Sequence, residues 1–327
     1  YFQILKRALF LFPLLIATFT TCKGQIYKYL GIEDGLSNRR IFRIQKGGHG
    51  YMWFLTQEGI DRYDGSKIKH YAVFDGSMEV APQINLHRLW VVGRKGRIFR
   101  YDTARDRFVM TYKLSDLQDD VTSGTVNCTY MDSNDRIWLC HGDSIVRYDT
   151  RAGTTDRIDS PAPDDITAIT QTDSTNFFIG TSNGLLQTIE KEGVLETVAG
   201  TYTDSIRIPV SELYFHEDSK QLFIGTFKEG IIAYGMNTTS TIIADGPLQN
   251  VAIKRITPFG KRQLLVATGG RGVYKIDVDS LSARPYITAD YSNYNGMNGN
   301  NINDIYVDGD GRIWMANYPT GITIRND

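Results

Sequence analysis

The residues able to do chemistry in this chain are few and stand apart. His49, His70, His87, His141 and His216 each lack a second ligand at metal-binding spacing. No serine or cysteine lies in the strand-turn-helix context that arms a nucleophile. The run Asp308-Gly-Asp-Gly-Arg312 invites a calcium reading, but a calcium loop takes about twelve residues. It also repeats a hairpin position filled elsewhere by Asp132 to Arg136 and by Glu217 to Gln221, so a turn is expected. Cys22 falls within the expected N-terminal export signal, just after its apolar run, which leaves Cys128 and Cys140 on adjacent strands of one hairpin. A disulfide between them is sterically conceivable, yet neighbouring strands rarely offer its geometry, and two buried free thiols are expected. These residues predict no catalytic group, no metal and no cofactor.

Binding chemistry is better represented. Arg94, His141, Phe227, Lys228, Arg271 and Tyr318 fall in short turns that recur along the chain, beside Gln57, Glu58, Lys95, Asp143 and Asn183. A rim of hydrogen-bonding groups with two aromatics suits a sugar or another polar small molecule. These six are the candidate ligand-binding residues.

The elements that must position them are read from a repeat. Trp53, Trp90, Trp138, Phe178, Phe223, Leu265 and Trp314 each precede a tight turn and recur at intervals of roughly 40 to 50 residues, the period of a four-stranded propeller blade. The segments alternate apolar and polar residues, as strands do, and lack helical spacing. In the first copy the strands are read as Ile41 to Gln45, Met52 to Thr56, Gly59 to Asp64 and Lys67 to Phe74, with glycine-rich turns between them. The recurrent glycine at 59, 96, 184, 230, 272 and 321 marks the turn after the second strand. The large residue ahead of that turn is expected to wedge between adjacent blades. The last copy stops after three strands, and residues 26–31 have the character of the missing outer one. The fold predicted is therefore all-β, a seven-bladed β-propeller of four-stranded blades over residues 25–327, its ring closed by the N-terminal strand. Blade two is short between Phe74 and Trp90. Either its inner strand is stunted or residues are absent near 80–86.

Composition bounds the partners. Lys plus Arg (36) nearly balance Asp plus Glu (37), and no basic block follows a phosphate backbone, so nucleic acid is excluded as an expected partner. An apolar fraction of 41%, with 19 tyrosines and 31 glycines, fits a cored protein of many short strands. At the N-terminus Lys6 and Arg7 precede a short apolar run and then small residues, the layout of an export signal over residues 1–24. Tyr1-Phe2-Gln3 reads as a cloning remnant.

The stretches GLSNRRIFRIQKGGHGYMWFLTQEGIDRYDG (35–65) and GMNGNNINDIYVDGDGRIWMANYPTGITIRND (296–327) resemble the two-component regulator propeller repeat. That repeat belongs to the periplasmic sensor region of hybrid two-component regulators of glycan-degrading gut bacteria. The resemblance is strong in blades one, three and seven, and weak in blades four to six, where Phe or Leu replaces Trp. It implies the N-terminal propeller of a longer sensor that detects an oligosaccharide and controls glycan-utilisation genes. It further implies a periplasmic location within an inner-membrane receptor, a homodimer formed through the full receptor, and membrane contact only through downstream segments. A histidine kinase is expected downstream, with no enzyme in this region. The resemblance transfers no ligand residue position by position. Two other readings stay open: a secreted propeller lyase acting on a polysaccharide or cyclic peptide, similar to the streptogramin lyases, and a protein-interaction propeller. A lyase would need a base and an electrophile converging on the rim, and nothing in the sequence pairs His141 with Arg271.

Overall fold

The computed structural model describes residues 26–73, 84–85, 88–93, 95–114, 125–142, 144–199, 206–235, 241–242, 246–290 and 296–326. Seven four-stranded antiparallel sheets follow one another, each built in the order inner, second, third, outer. Blade one consists of Ile41–Lys46, Met52–Thr56, Gly59–Tyr63 and Ile68–Tyr71. In the seventh, Ile302–Val307, Ile313–Asn317 and Gly321–Asn326 are joined by Ile26–Leu30, whose register runs from Ile26 opposite Asn326 to Leu30 opposite Ile322. The N-terminal strand therefore closes the ring, as the truncated last repeat requires. The expected leader, residues 1–24, lies outside the described residues, as does Gln25.

Each wedge residue occupies a cluster shared by two blades. Trp53 meets Leu89, Val91 and Phe99 of blade two. Trp138 meets Phe177 and Ile179 of blade four, and Trp314 meets Ile44, Phe54 and Tyr63 of blade one. Trp90, Phe178, Phe223 and Leu265 play the same part at the remaining four interfaces. The reason is geometric: a blade is flat and can bury its faces only against its neighbours, so each junction needs a large apolar side chain.

The turn glycine has a second reason beyond its left-handed backbone. At Gly184 (φ 159°) a Cβ would collide with the Ile206 carbonyl of the incoming connection, and at Gly321 (φ 109°) with the Leu30 carbonyl. The chain passes too close for any side chain.

Asp308 explains the aspartate turn. Its carboxylate accepts hydrogen bonds from the backbone N–H of Asp310 (2.9 Å) and Arg312 (3.0 Å), from Arg312 Nε (2.7 Å) and from Trp314 Nε1 (2.9 Å). Asp132 does the same for Asn134, Arg136 and Trp138. The segment is a turn that orients the wedge tryptophan, and its carboxylate is taken up by protein donors.

Blade two has the stunted inner strand. It is Ile84–Asn85, two residues long, whereas that of blade five, Val210–His216, has seven. Most of the 80–86 interval lies outside the described residues. Cys128 and Cys140 stand directly opposite each other as buried free thiols. The Cys140 thiol is pushed up by its hydrogen bond with Cys128 and by burial.

Candidate ligand site

The inner strands surround a channel, and one position of each strand dominates it. In blades one, four, five, six and seven the pairing of inner and second strands slips at Ile41/Arg43, Ile166/Ala168, Val210/Glu212, Ile253/Arg255 and Ile302/Asp304. A bulge re-aims the side chain next to it. Aligned on the residue facing the wedge, Cys128 is the counterpart in blade three. The column of equivalent positions is thus Arg43, Cys128, Ala168, Glu212, Arg255 and Asp304, and every member lines one cavity of about 370 Å³. Among the described residues, blade two contributes nothing to it.

Around the ring, blades five, six, seven and one supply Glu212, Arg255, Asp304 and Arg43, so the charges alternate. Arg255 donates to Glu212 at 2.9 Å, and its Nε lies 3.5 Å from Asp304 Oδ1. Arg43 approaches the same oxygen at 3.7 Å. Asp304 Oδ2 accepts the backbone N–H of Ile44 at 2.7 Å, tying the seventh blade to the first. The Arg255 and Arg43 side chains are 35% and 27% exposed, against 12% for Glu212 and 2% for Asp304. Burial raises the Glu212 carboxyl above the ordinary glutamate value, with the Arg255 and Arg43 charges opposing. Burial works against the Arg255 charge, but Glu212 and Asp304 outweigh it and raise that group. With one strand order in every blade, the turns after the second strands all open at one end. The charged ring stands two residues inside the strand starts at that end, about 7 Å down.

The rim candidates are placed as follows. Phe227 is 50% exposed and Tyr318 43%, each at the tip of its turn. Arg40 sits over the Tyr318 ring, 5.6 Å from its centroid. Lys228 and Arg271 are exposed, and Arg271 donates to the Pro247 carbonyl at 2.9 Å. His141 ends the second strand of blade three, half-buried, its Nε2 buried without a hydrogen-bond partner among the described residues. Arg94 lies outside the described residues. Among the described residues no hydrogen bond, ion pair or ring contact joins any two of the six, and none lines the channel. A second, shallower hollow of about 260 Å³ opens beside Asn183, between Pro161–Asp164 and Ile206–Arg207.

Sequence reasoning missed the channel column. The signal lay in the repeat alignment itself: ten or so residues before each wedge, the aligned column reads Arg, Cys, Ala, Glu, Arg, Asp, with charge where a strand interior is ordinarily uncharged.

Residues 296–318 match the model of the two component regulator propeller family. That one segment is similar to the two-component regulator propeller repeat. The matched segment holds the channel residue Asp304, the Asp308 turn, Trp314 and Tyr318, so it spans the inner strand, the wedge and the turn that follows it. Among solved structures, the extracellular domain of hybrid two component system BT3049 from B. thetaiotaomicron superposes with a TM-score of 0.72 at 20% identity, over 93% of this chain and 42% of that one. That of BT4673 gives 0.71 at 20%, over 92% and 40%. Virginiamycin B lyase from Staphylococcus aureus gives 0.70 at 15%, over 93% of this chain and 100% of that one. At such identities the likeness is one of fold. The chain spans about two-fifths of the length of the two-component relatives. No curated protein matches it. Among the described residues no helix is long and apolar enough to cross a membrane.

Proposed function

We propose that this propeller is the ligand-sensing, extracytoplasmic part of a hybrid two-component regulator, periplasmic and belonging to an inner-membrane receptor. The ligand we propose is an oligosaccharide and the output the control of glycan-utilisation genes, through a receptor homodimer. The observation that carries the reading is the regulator repeat at 296–318, set in a ring whose exposed turn tips hold aromatic and cationic side chains. Tyr318 and Phe227 offer ring faces for a sugar, Lys228 and Arg271 offer charge-assisted donors, and Arg94 and His141 join the candidates by their places in the sequence repeat.

The test replaces Arg271 and Tyr318 together with alanine in the full-length receptor and measures the transcriptional dose response to oligosaccharides. Loss of the response, with the melting temperature of the purified chain within a few degrees of the parent, is expected. An unchanged dose response removes the rim site. Depolymerisation of a polysaccharide by the purified chain would favour the lyase reading, whose fold is shared by the virginiamycin B lyase structure.

A further inference from the structure

We infer that the central channel is a binding site in its own right, for a small monocarboxylate bearing neighbouring hydroxyls, a sugar acid of hexuronate size, held by Arg43, Arg255, Asp304 and Glu212. The inference is independent of what binds at the rim.

Three observations carry it. First, the Arg43 guanidinium makes no hydrogen bond among the described residues. Its one ion pair within 4 Å among the described residues is the 3.7 Å approach to Asp304, although it lines the cavity. A guanidinium has five N–H donors in a planar fork shaped for a carboxylate, and this one is open toward the channel. Second, Asp304, which lines the same cavity, is 2% exposed, and its buried Oδ1 accepts no hydrogen bond among the described residues. A buried carboxylate oxygen in that state is an acceptor waiting for a donor. Third, on the side opposite the charged arc the described members are small, Cys128 and Ala168, and beside them lies the 370 Å³ cavity. At about 30 Å³ per water this is room for roughly a dozen waters, hence for one monosaccharide-sized molecule and not for a chain.

The chemistry narrows the ligand. What faces the channel most is guanidinium, so the entering group is anionic. A dianion such as a phosphate ester would lie against two carboxylates as well, and the four-charge set has no surplus cation to balance it. The donor that satisfies Asp304 Oδ1 sits beside two guanidiniums at 3.5 and 3.7 Å from that oxygen. An ammonium there is repelled by both, whereas a hydroxyl is not. A carboxylate with an adjacent hydroxyl meets both demands. Ser211 and Thr167 donate their hydroxyl protons to the Ile253 and Val210 carbonyls, which leaves their oxygens as further acceptors for a polyol. The raised Glu212 carboxyl takes a proton more readily than an ordinary glutamate, which offsets the charge a monoanion brings.

The test is calorimetric titration of the purified chain with D-glucuronate, D-galacturonate and D-gluconate, with D-glucose and D-glucose 6-phosphate as controls. At least one acid is expected to bind roughly tenfold or more tightly than either control. Arg43→Met should weaken that binding by roughly tenfold or more with a melting temperature within a few degrees of the parent's, because Arg43 makes no hydrogen bond among the described residues and only a 3.7 Å approach to Asp304. Arg43→Lys keeps the charge but loses the fork, and should fall between. The Arg271→Ala, Tyr318→Ala double variant should bind the acid as the parent does, which separates this site from the rim. No binding of any of the three acids, equal binding of glucose, or undiminished affinity in Arg43→Met overturns the inference.

Discussion

Trp138 gives the sharpest test of how the ring is held. Its side chain is 0% exposed and stands between blades three and four, its ring centroid 4.8 Å from that of Phe177 and 5.6 Å from the Arg147 guanidinium. Nε1 donates to Asp132 at 2.8 Å. Trp138→Ala removes the indole from a site whose walls are strands of two sheets, which cannot collapse far, so the cost is the transfer of the ring plus the cavity, about 3–5 kcal/mol. Asp132 retains the Asn134 and Arg136 donors, so losing the indole N–H adds only about 0.5–1.5 kcal/mol. Trp138→Phe separates the two contributions: most of the ring stays, the N–H goes, and about 1–2 kcal/mol should be lost. With an unfolding entropy of roughly 2.1 cal/mol/K per residue, a chain of this size loses about 1.5 °C per kcal/mol, so the alanine variant should melt about 4–8 °C below the parent. Calorimetric or circular-dichroism melts of the parent and the two variants decide it. An alanine variant melting within a degree or two of the parent would refute the wedge, and equal losses for Ala and Phe would put the stabilisation in the hydrogen bond alone.

Other outcomes follow from the same contacts. Leu30→Asp places a charge in the cluster joining the N-terminal strand to blades seven and one, where Leu30 is 3% exposed. It should cost more than about 3 kcal/mol and, because it opens the ring, expose the Ile26–Leu30 segment to limited proteolysis before other sites. For Asp308, burial alone would raise the carboxyl, but the hydrogen bonds from Trp314 and Arg312 outweigh it and hold the group below its ordinary 3.8. A depressed folded value means stability that is complete above pH 3.8 and lost as pH falls through the lower folded value. Asp308→Asn should therefore melt several degrees lower at pH 7, and the deficit should shrink at pH 3. A deficit independent of pH would assign the effect to packing.

The sequence disclosed the ring because the ring depends on residues that every blade must repeat. Trp53, Trp138 and Trp314 solve one packing problem three times, and glycines such as 184 and 321 yield to one close approach, so their spacing carried blade number and strand order, while the three-stranded last repeat pointed to closure by residues 26–31, of which Ile26–Leu30 form the strand. Blade two was legible as a deficit, since a Phe74 to Trp90 interval cannot hold a full inner strand. Rim candidates were chosen by residue type in exposed turns, and type alone does not say which turn tips share a ligand: Arg271 reaches back to Pro247, and Tyr318 carries Arg40 on its ring. The channel was illegible for a different reason. Glu212, Arg255 and Asp304 are separated by whole blades, and each alone reads as one more strand residue. Only the ring makes them neighbours.

That contrast has a physical basis in the odd number of blades. Were the repeat perfect, its channel column would hold one charge in every blade, and like charges a few ångströms apart in a partly desolvated channel repel strongly. Divergence at this column is therefore required wherever it is charged, and the lowest-energy arrangement alternates sign from blade to blade. Alternation cannot close around seven positions. Among the described residues it runs through Glu212, Arg255, Asp304 and Arg43, and the counterparts in blades three and four, Cys128 and Ala168, are uncharged. The break in the pattern is what leaves a cavity: the charged arc supplies donors and acceptors, and the uncharged arc supplies room. A fold that repeats one unit to build its walls thus gains an asymmetric site from the one column in which the units cannot be alike.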